Sequence, residues 1–207
     1  MPLVYPADAS PKLAHFLTRR EAIVLAPYRD GFFDLEKTQP RWSIGSGVIA
    51  KHGAKTKLIT VKKSFHLLHK EMETRIQTVA WALGVRKFSV PSVPLEQHHF
   101  DAVFSLYYQG GSDGLKAVSA LIQQGLMTEA ADEFKRWDAN RHGEQKDGLR
   151  ARRELERHLF LTGDYGELNP VRLYRHDPHD NPHFEEYHVT EADLKGWLED
   201  DDGDNDE

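Results

Sequence analysis

Glu21 and Asp30 are the residues of this 207-residue chain whose type and spacing first suggest chemistry. Leu13, Leu17 and Glu21 recur at i, i+4 and i+8 with Phe16 beside them, on one face of a helix that Ser10-Pro11 would open. Glu21 therefore closes an apolar stripe. Such a carboxylate has two readings. One is a side chain that reaches past the stripe to solvent or to an arginine. The other is a general acid, which must hold its proton near neutrality, a state that partial burial favours. Asp30 follows nine residues later, after the chain turns through Tyr28-Arg29. Hydrolysis of a glycosidic bond uses such a pair: an acid for the leaving oxygen, and a second carboxylate as base or nucleophile.

The elements that must position the pair can be read from periodicity. The stretch from Tyr28 to Ile49 has no helical period, and "RWSIGSGVIA" alternates like a strand ending in glycine turns, which predicts a small β-hairpin lobe. Thr60 then caps a long amphipathic helix over about residues 61–83, with Phe65, Leu68, Met72, Ile76, Val79 and Leu83 at helical spacing. The prolines of "VPSVPL" separate it from a helix that carries Phe100, Val103, Phe104 and Tyr107 and ends at Gly110-Gly111. Three further helices are predicted: "GLKAVSALIQQG" stopped by Gly125, "TEAADEFKRWDAN" capped by Thr128, and "GLRARRELERHLFLTG" stopped by Gly163. After Gly166 the pattern becomes a hairpin, with Val171, Leu173 and Tyr174 facing Phe184, Tyr187 and Val189, and Thr190 caps a last short helix. The expected architecture is α+β: a small β lobe joined by a long helix to a mainly helical lobe, with a cleft between them. Residues 1–166 form the body and 167–207 a C-terminal extension, too poor in apolar residues for a core of its own and so expected to pack as an appendage.

Composition narrows the function. The absence of cysteine removes disulfides and thiolate chemistry. The net charge of -6 comes from the tail "EDDDGDNDE", which holds seven of the 33 acids; the remaining 26 face 27 Lys and Arg. The tail reads as a solvated end, and the nearly neutral body has no basic bias toward nucleic acid. The first residues, "MPLVYPADASPK", lack the pattern of a signal peptide, and no run approaches a membrane span, so a protein made in the cytoplasm without a membrane anchor is expected. His176, His179, His183 and His188 lie near Asp177 and Asp180 but fit no zinc spacing, so they read as surface histidines and no metal or cofactor is expected. Trp42, Trp81, Trp137 and Trp197 read mostly as core, with Trp42 also placed beside Ser43 where it could stack on a sugar ring.

The run "EAIVLAPYRD" followed by "WSIGSG" resembles the signature of the phage-type lysozymes, the endolysin/muramidase family also called glycoside hydrolase family 24. The segments "ITVKKSFHLLHKEM", "LEQHHFDAVFSLYYQGG", "AADEFKRWDAN" and "GLRARRELERHLFLTG" resemble family segments in the expected order, so the likeness covers about residues 12–166. The resemblance implies a lysozyme-like two-lobed fold and hydrolysis of the β-1,4 bond between N-acetylmuramic acid and N-acetylglucosamine in peptidoglycan. It implies Glu21 as the acid, Asp30 as the carboxylate that assists the attacking water, and Ser43 as the hydroxyl that helps hold that water. Gln109 matches a cleft-lining amide. Arg152 matches an arginine that packs against the catalytic glutamate, with Arg153 the nearby alternative. Tyr28 and Trp42 flank the two motifs. Family members of this kind invert at the anomeric carbon, which sets the carboxyls roughly 6.5–9.5 Å apart. The implied partners are peptidoglycan glycan strands. The implied setting is a phage or prophage endolysin, or a tail-associated lysozyme, delivered to the bacterial cell wall by a separate pore protein or by a phage tail component.

Three positions depart from the family pattern. Ser43 lacks the methyl of the usual threonine. Twelve residues, "GFFDLEKTQPRW", separate Asp30 from Ser43, a longer hairpin than usual, which leaves Asp34 as the alternative to Asp30. Val48 replaces a histidine after the second glycine. These departures keep a second reading open, a catalytically weakened lysozyme-fold module that binds glycan or serves as an adaptor.

Overall fold

The structure is a computed structural model that describes residues 7–29, 41–87, 93–139 and 146–195. It divides into two compact units, one of residues 1–13 and 73–167, the other of residues 14–72 and 168–207. Asp30, Asp34, Trp197 and the acidic tail lie outside the described residues.

Helix α1 (Pro11–Glu21) begins where the sequence predicts, with the Ser10 hydroxyl accepting the Leu13 amide at 3.0 Å. Leu13, Phe16 and Leu17 are fully buried, and Glu21 is the next residue along that face. Strand β1 (Ile23–Arg29) follows after Ala22 alone, a stretch the sequence reading did not assign to a strand. Ala22 adopts φ 66°, and its amide closes the last turn on the Thr18 carbonyl at 2.8 Å. A left-handed non-glycine residue costs about 1–2 kcal/mol, so the reversal there is held by what surrounds it.

In the sheet unit, β2 (Trp42–Gly45) runs antiparallel to β1, and β3 (Val48–Ile49) antiparallel to β2. The register slips between Val24 and Tyr28, where Pro27 interrupts the ladder, and Tyr28 then pairs with Ser43 and Arg29 with Trp42. Gly45 sits at φ 63°, and a Cβ there would lie 2.8 Å from Ser64 Oγ, so only glycine lets β2 approach helix α2 (Val61–Ala82) this closely. Thr60 caps α2 as expected, its hydroxyl accepting the Lys63 amide at 3.1 Å.

The C-terminal hairpin, β4 (Val171–Tyr174) and β5 (Glu185–Tyr187), does form, but it joins the same sheet. β4 lies parallel to β1, with Ile23 opposite Leu173 and Val24 opposite Tyr174, giving the strand order β3-β2-β1-β4-β5. Short helix α7 (Glu191–Lys195) follows, with Asp193 accepting from the Thr190 amide and hydroxyl and from Tyr187 Oη.

The helical unit contains α3 (Gln97–Gly110), α4 (Ser112–Gln123), α5 (Met127–Glu133) and α6 (Asp147–Thr162). Phe100, Val103, Phe104, Val118, Phe134, Leu159 and Phe160 form its buried interior. Gly163, at φ 72°, ends α6 in the left-handed cap expected of it. Two details differ from the sequence reading. α5 starts at Met127 without a side-chain cap, because the chain leaves Gly125 already turned and Leu126 hydrogen-bonds back to the Leu121 carbonyl; Thr128 is inside the helix. Trp81 is 56% exposed, since it falls about 200° around α2 from buried Val79.

Candidate active site

Within the sheet unit, Glu21, Tyr28, Trp42 and Ser43 are brought onto two consecutive elements, α1 and the β1–β2 pair. Glu21 is half-buried at the very end of α1, where the next residue reverses the chain into β1. Tyr28 packs against a small cluster of Ala22, Val24 and Tyr174. Ser43 is fully buried opposite Tyr28 in the ladder. Val48, at the position where the family usually has histidine, is 8% exposed and fills that place with an apolar side chain.

Trp42 is half-buried, with the Arg29 guanidinium 5.6 Å from its ring centre. It also lines a shallow pocket of about 440 Å³ together with Arg41, Lys51, His52 and Lys55. An aromatic face rimmed by cations can hold a sugar ring by stacking and a carboxylate by charge.

In the helical unit the expected residues stand in a buried polar chain. Gln109 Oε1 accepts from Arg153 Nη2 at 2.5 Å, which fixes the amide orientation and leaves its NH₂ to donate. Arg153 Nη1 lies 2.8 Å from Glu156 Oε2, a contact of charges outside hydrogen-bond alignment. Glu156 Oε1 accepts from Ser105 Oγ at 2.6 Å and from Arg152 Nε at 3.0 Å. Glu156 and Arg153 are fully buried, and Arg152 nearly so. Sequence reasoning named Arg152, Arg153 and Gln109 but missed Glu156 and Ser105. The available signal was the spacing of Arg152, Arg153 and Glu156, which puts all three on one turn of a helix.

A second buried carboxylate, Asp101 in α3, was not singled out from sequence. It accepts from Ser10 Oγ, from Tyr165 Oη at 2.5 Å and from Gln97 Nε2 at 2.8 Å. Burial pushes it up to about 6 against the pull of those donors. It ties the start of α1 to α3 and to the segment after α6, and reads as structural.

The four C-terminal histidines are exposed, and no group of three His, Asp or Glu among the described residues could hold a metal ion. Among the described residues no helix is long and apolar enough to cross a membrane.

A glutamate that ends the first helix and turns at once into the first strand of a small sheet, in a chain whose other unit is built of helices, defines a lysozyme-like α+β fold. The chain belongs to the phage lysozyme family, whose model matches residues 18–156. It is 32% identical over 129 residues to an endolysin of Bacillus phage B103, a match that spans 61% of this chain and 46% of that protein. It is 35% identical over 106 residues to an endolysin of Salmonella phage P22, spanning 50% of this chain and 66% of that one. The chain thus spans about half the length of the first relative and just under two thirds of the second. In fold it is similar to the endolysin from Escherichia coli O157:H7 phage FAHEc1, with a TM-score of 0.62 at 21% identity over 80% of this chain and 100% of that one.

Proposed function

We propose that the chain is a peptidoglycan-degrading lysozyme that hydrolyses the β-1,4 bond between N-acetylmuramic acid and N-acetylglucosamine. The observation that carries this reading is Glu21 itself: a half-buried carboxylate at the end of α1, inside the matched segment, one residue from the strand that leads to Tyr28-Arg29-Asp30. Glu21 gives its proton to the glycosidic oxygen as the C1–O bond breaks. Water attacks the opposite face of C1, Asp30 takes its proton, and a new reducing end is released. Ser43 helps hold that water, with Tyr28 and Trp42 lining the sugar. From the helical unit, Gln109 offers an amide donor to substrate and Arg152 lends supporting charge. In this reading the protein acts on the bacterial cell wall, delivered by a separate pore protein or as part of a phage tail.

Incubation with purified cell-wall sacculi tests it. The protein releases muropeptides with new reducing ends, and Glu21→Gln releases none. Equal release by both removes the enzymatic reading. Buried, apolar Val48 is the observation that favours the second reading, a glycan-binding module of the same fold. That reading expects sacculus binding by wild type with no reducing ends formed.

A further inference from the structure

The hairpin at residues 168–195 lies beyond the segment that matches the family model, yet it meets the connection from Glu21 toward Asp30 at both of its described ends, at Ala22 to Val24 and again at Tyr28 and Arg29. At the helix, His15 of α1 and Asn169 meet at 3.1 Å, and Asn169 is itself held by the Val189 amide and carbonyl at 3.0 and 3.1 Å. At the reversal, β4 pairs with Ile23 and Val24, and Tyr174 packs with Ala22, Val24 and Tyr28. At the far end, Asp177 Oδ2 accepts from the Arg29 backbone amide at 3.1 Å. Asp177 Oδ1 meanwhile accepts the His179 amide at 2.9 Å, and the Asp177 carbonyl accepts from Asn181, so the acceptor is fixed within its own turn.

The register of β1 against β2 shifts between Val24 and Tyr28, and β4 pairs with its other edge at Ile23 and Val24. The hairpin therefore holds β1 from the side opposite β2. Resting on the reading of Glu21 and Asp30 as the working pair, we infer that Asp177 is a positioning residue, which through the Arg29 amide fixes the end of β1, the residue that precedes Asp30 in sequence. The hairpin is then a working part of the catalytic lobe. A displacement of about 1 Å in a reacting group can cost up to about a hundredfold in rate.

Asp177→Ala removes both side-chain acceptors of the turn, whereas Asp177→Asn keeps one oxygen for either the Arg29 or the His179 amide, and exchange protection of the two amides reports which of them it serves. The measurements are kcat and KM on solubilised glycan strands, the melting temperature, and exchange protection of the Arg29 amide. The expected result for Asp177→Ala is a fall in kcat of about tenfold or more, with KM within twofold, melting within about 2 °C of wild type and the Arg29 amide deprotected; Asp177→Asn recovers kcat to within about threefold where the Arg29 amide stays protected, and falls with Asp177→Ala where it does not. A kcat for Asp177→Ala less than about tenfold below wild type overturns the inference, as does an Asp177→Asn variant whose kcat falls while its Arg29 amide stays protected. Glu21→Gln, run alongside, reports separately on the reading beneath: if it is as active as wild type, the acid assignment fails whatever Asp177 does.

Discussion

Replacing Glu156 by glutamine tests the buried polar chain of the helical unit directly. Glu156 is fully buried, accepts from Ser105 Oγ at 2.6 Å and Arg152 Nε at 3.0 Å, and pairs in charge with Arg153 Nη1 at 2.8 Å. Glutamine keeps one acceptor oxygen and replaces the other by an NH₂ that faces a guanidinium. The local charge rises from one net cation to two, and neither arginine can shed its proton. Removing one partner of a buried ion pair costs about 3–5 kcal/mol, chiefly because the opposite charge stays desolvated. For a chain of this length about 2–4 °C of melting temperature accompany each kcal/mol, so the expected drop is about 6–20 °C. Thermal melting followed by circular dichroism, with urea midpoints at constant slope, measures it. A drop of less than about 3 °C refutes the argument, because it would mean that the guanidiniums find solvent or another anion at little cost. The triple variant Arg152→Met, Arg153→Met and Glu156→Met removes all three charges together and is expected to recover most of the loss. That recovery ties the effect to unpaired charge. The triple variant also frees Gln109, so stability returns while substrate affinity does not.

Three further outcomes follow from the same geometry. Asp101 stands at about 6 in the folded chain against 3.8 as its ordinary value, so the folded state binds its proton more tightly and stability falls as pH rises through that window. Relative to Asp101→Asn, the wild type is expected to gain roughly 2 kcal/mol between pH 7 and pH 4 in urea denaturation, and a pH-independent difference would refute the assignment. Gln109→Leu is expected to raise KM on solubilised glycan strands several-fold, on the order of 1 kcal/mol for one hydrogen bond, with kcat little changed; a fall confined to kcat would place the amide in the chemistry. Deleting residues 199–207 is expected to leave melting unchanged and, at low salt, to leave the rate on sacculi equal or higher, with the difference vanishing as salt screens it. Loss of wall binding on that deletion would show that the acidic tail recruits the protein.

What could be read from the chain alone was local. The Ser10, Thr60 and Thr190 caps, the Gly163 stop and the stripe ending in Glu21 depend on residues within one or two turns, so periodicity and cap chemistry were enough. The hairpin at 171–189 was legible for the same reason, since alternation and a turn determine a strand pair. Which edge that pair would find was not. Parallel pairing with β1 is set by a partner some 150 residues away in sequence (Ile23 opposite Leu173), and nothing in either strand encodes the other. Thr128 and Trp81 show the same limit on a smaller scale, because a preceding glycine turn moved one helix start and packing chose which face of α2 to bury. The spacing of Arg152, Arg153 and Glu156 put them on one turn, but a charged turn on a helix is as easily a solvated face. Only the packing of α6 against α3, which brings Ser105 and Gln109 to meet it, turned that face inward and made its charges depend on one another. Burial is a property of the assembled unit, and so is every interaction whose strength comes from the exclusion of water.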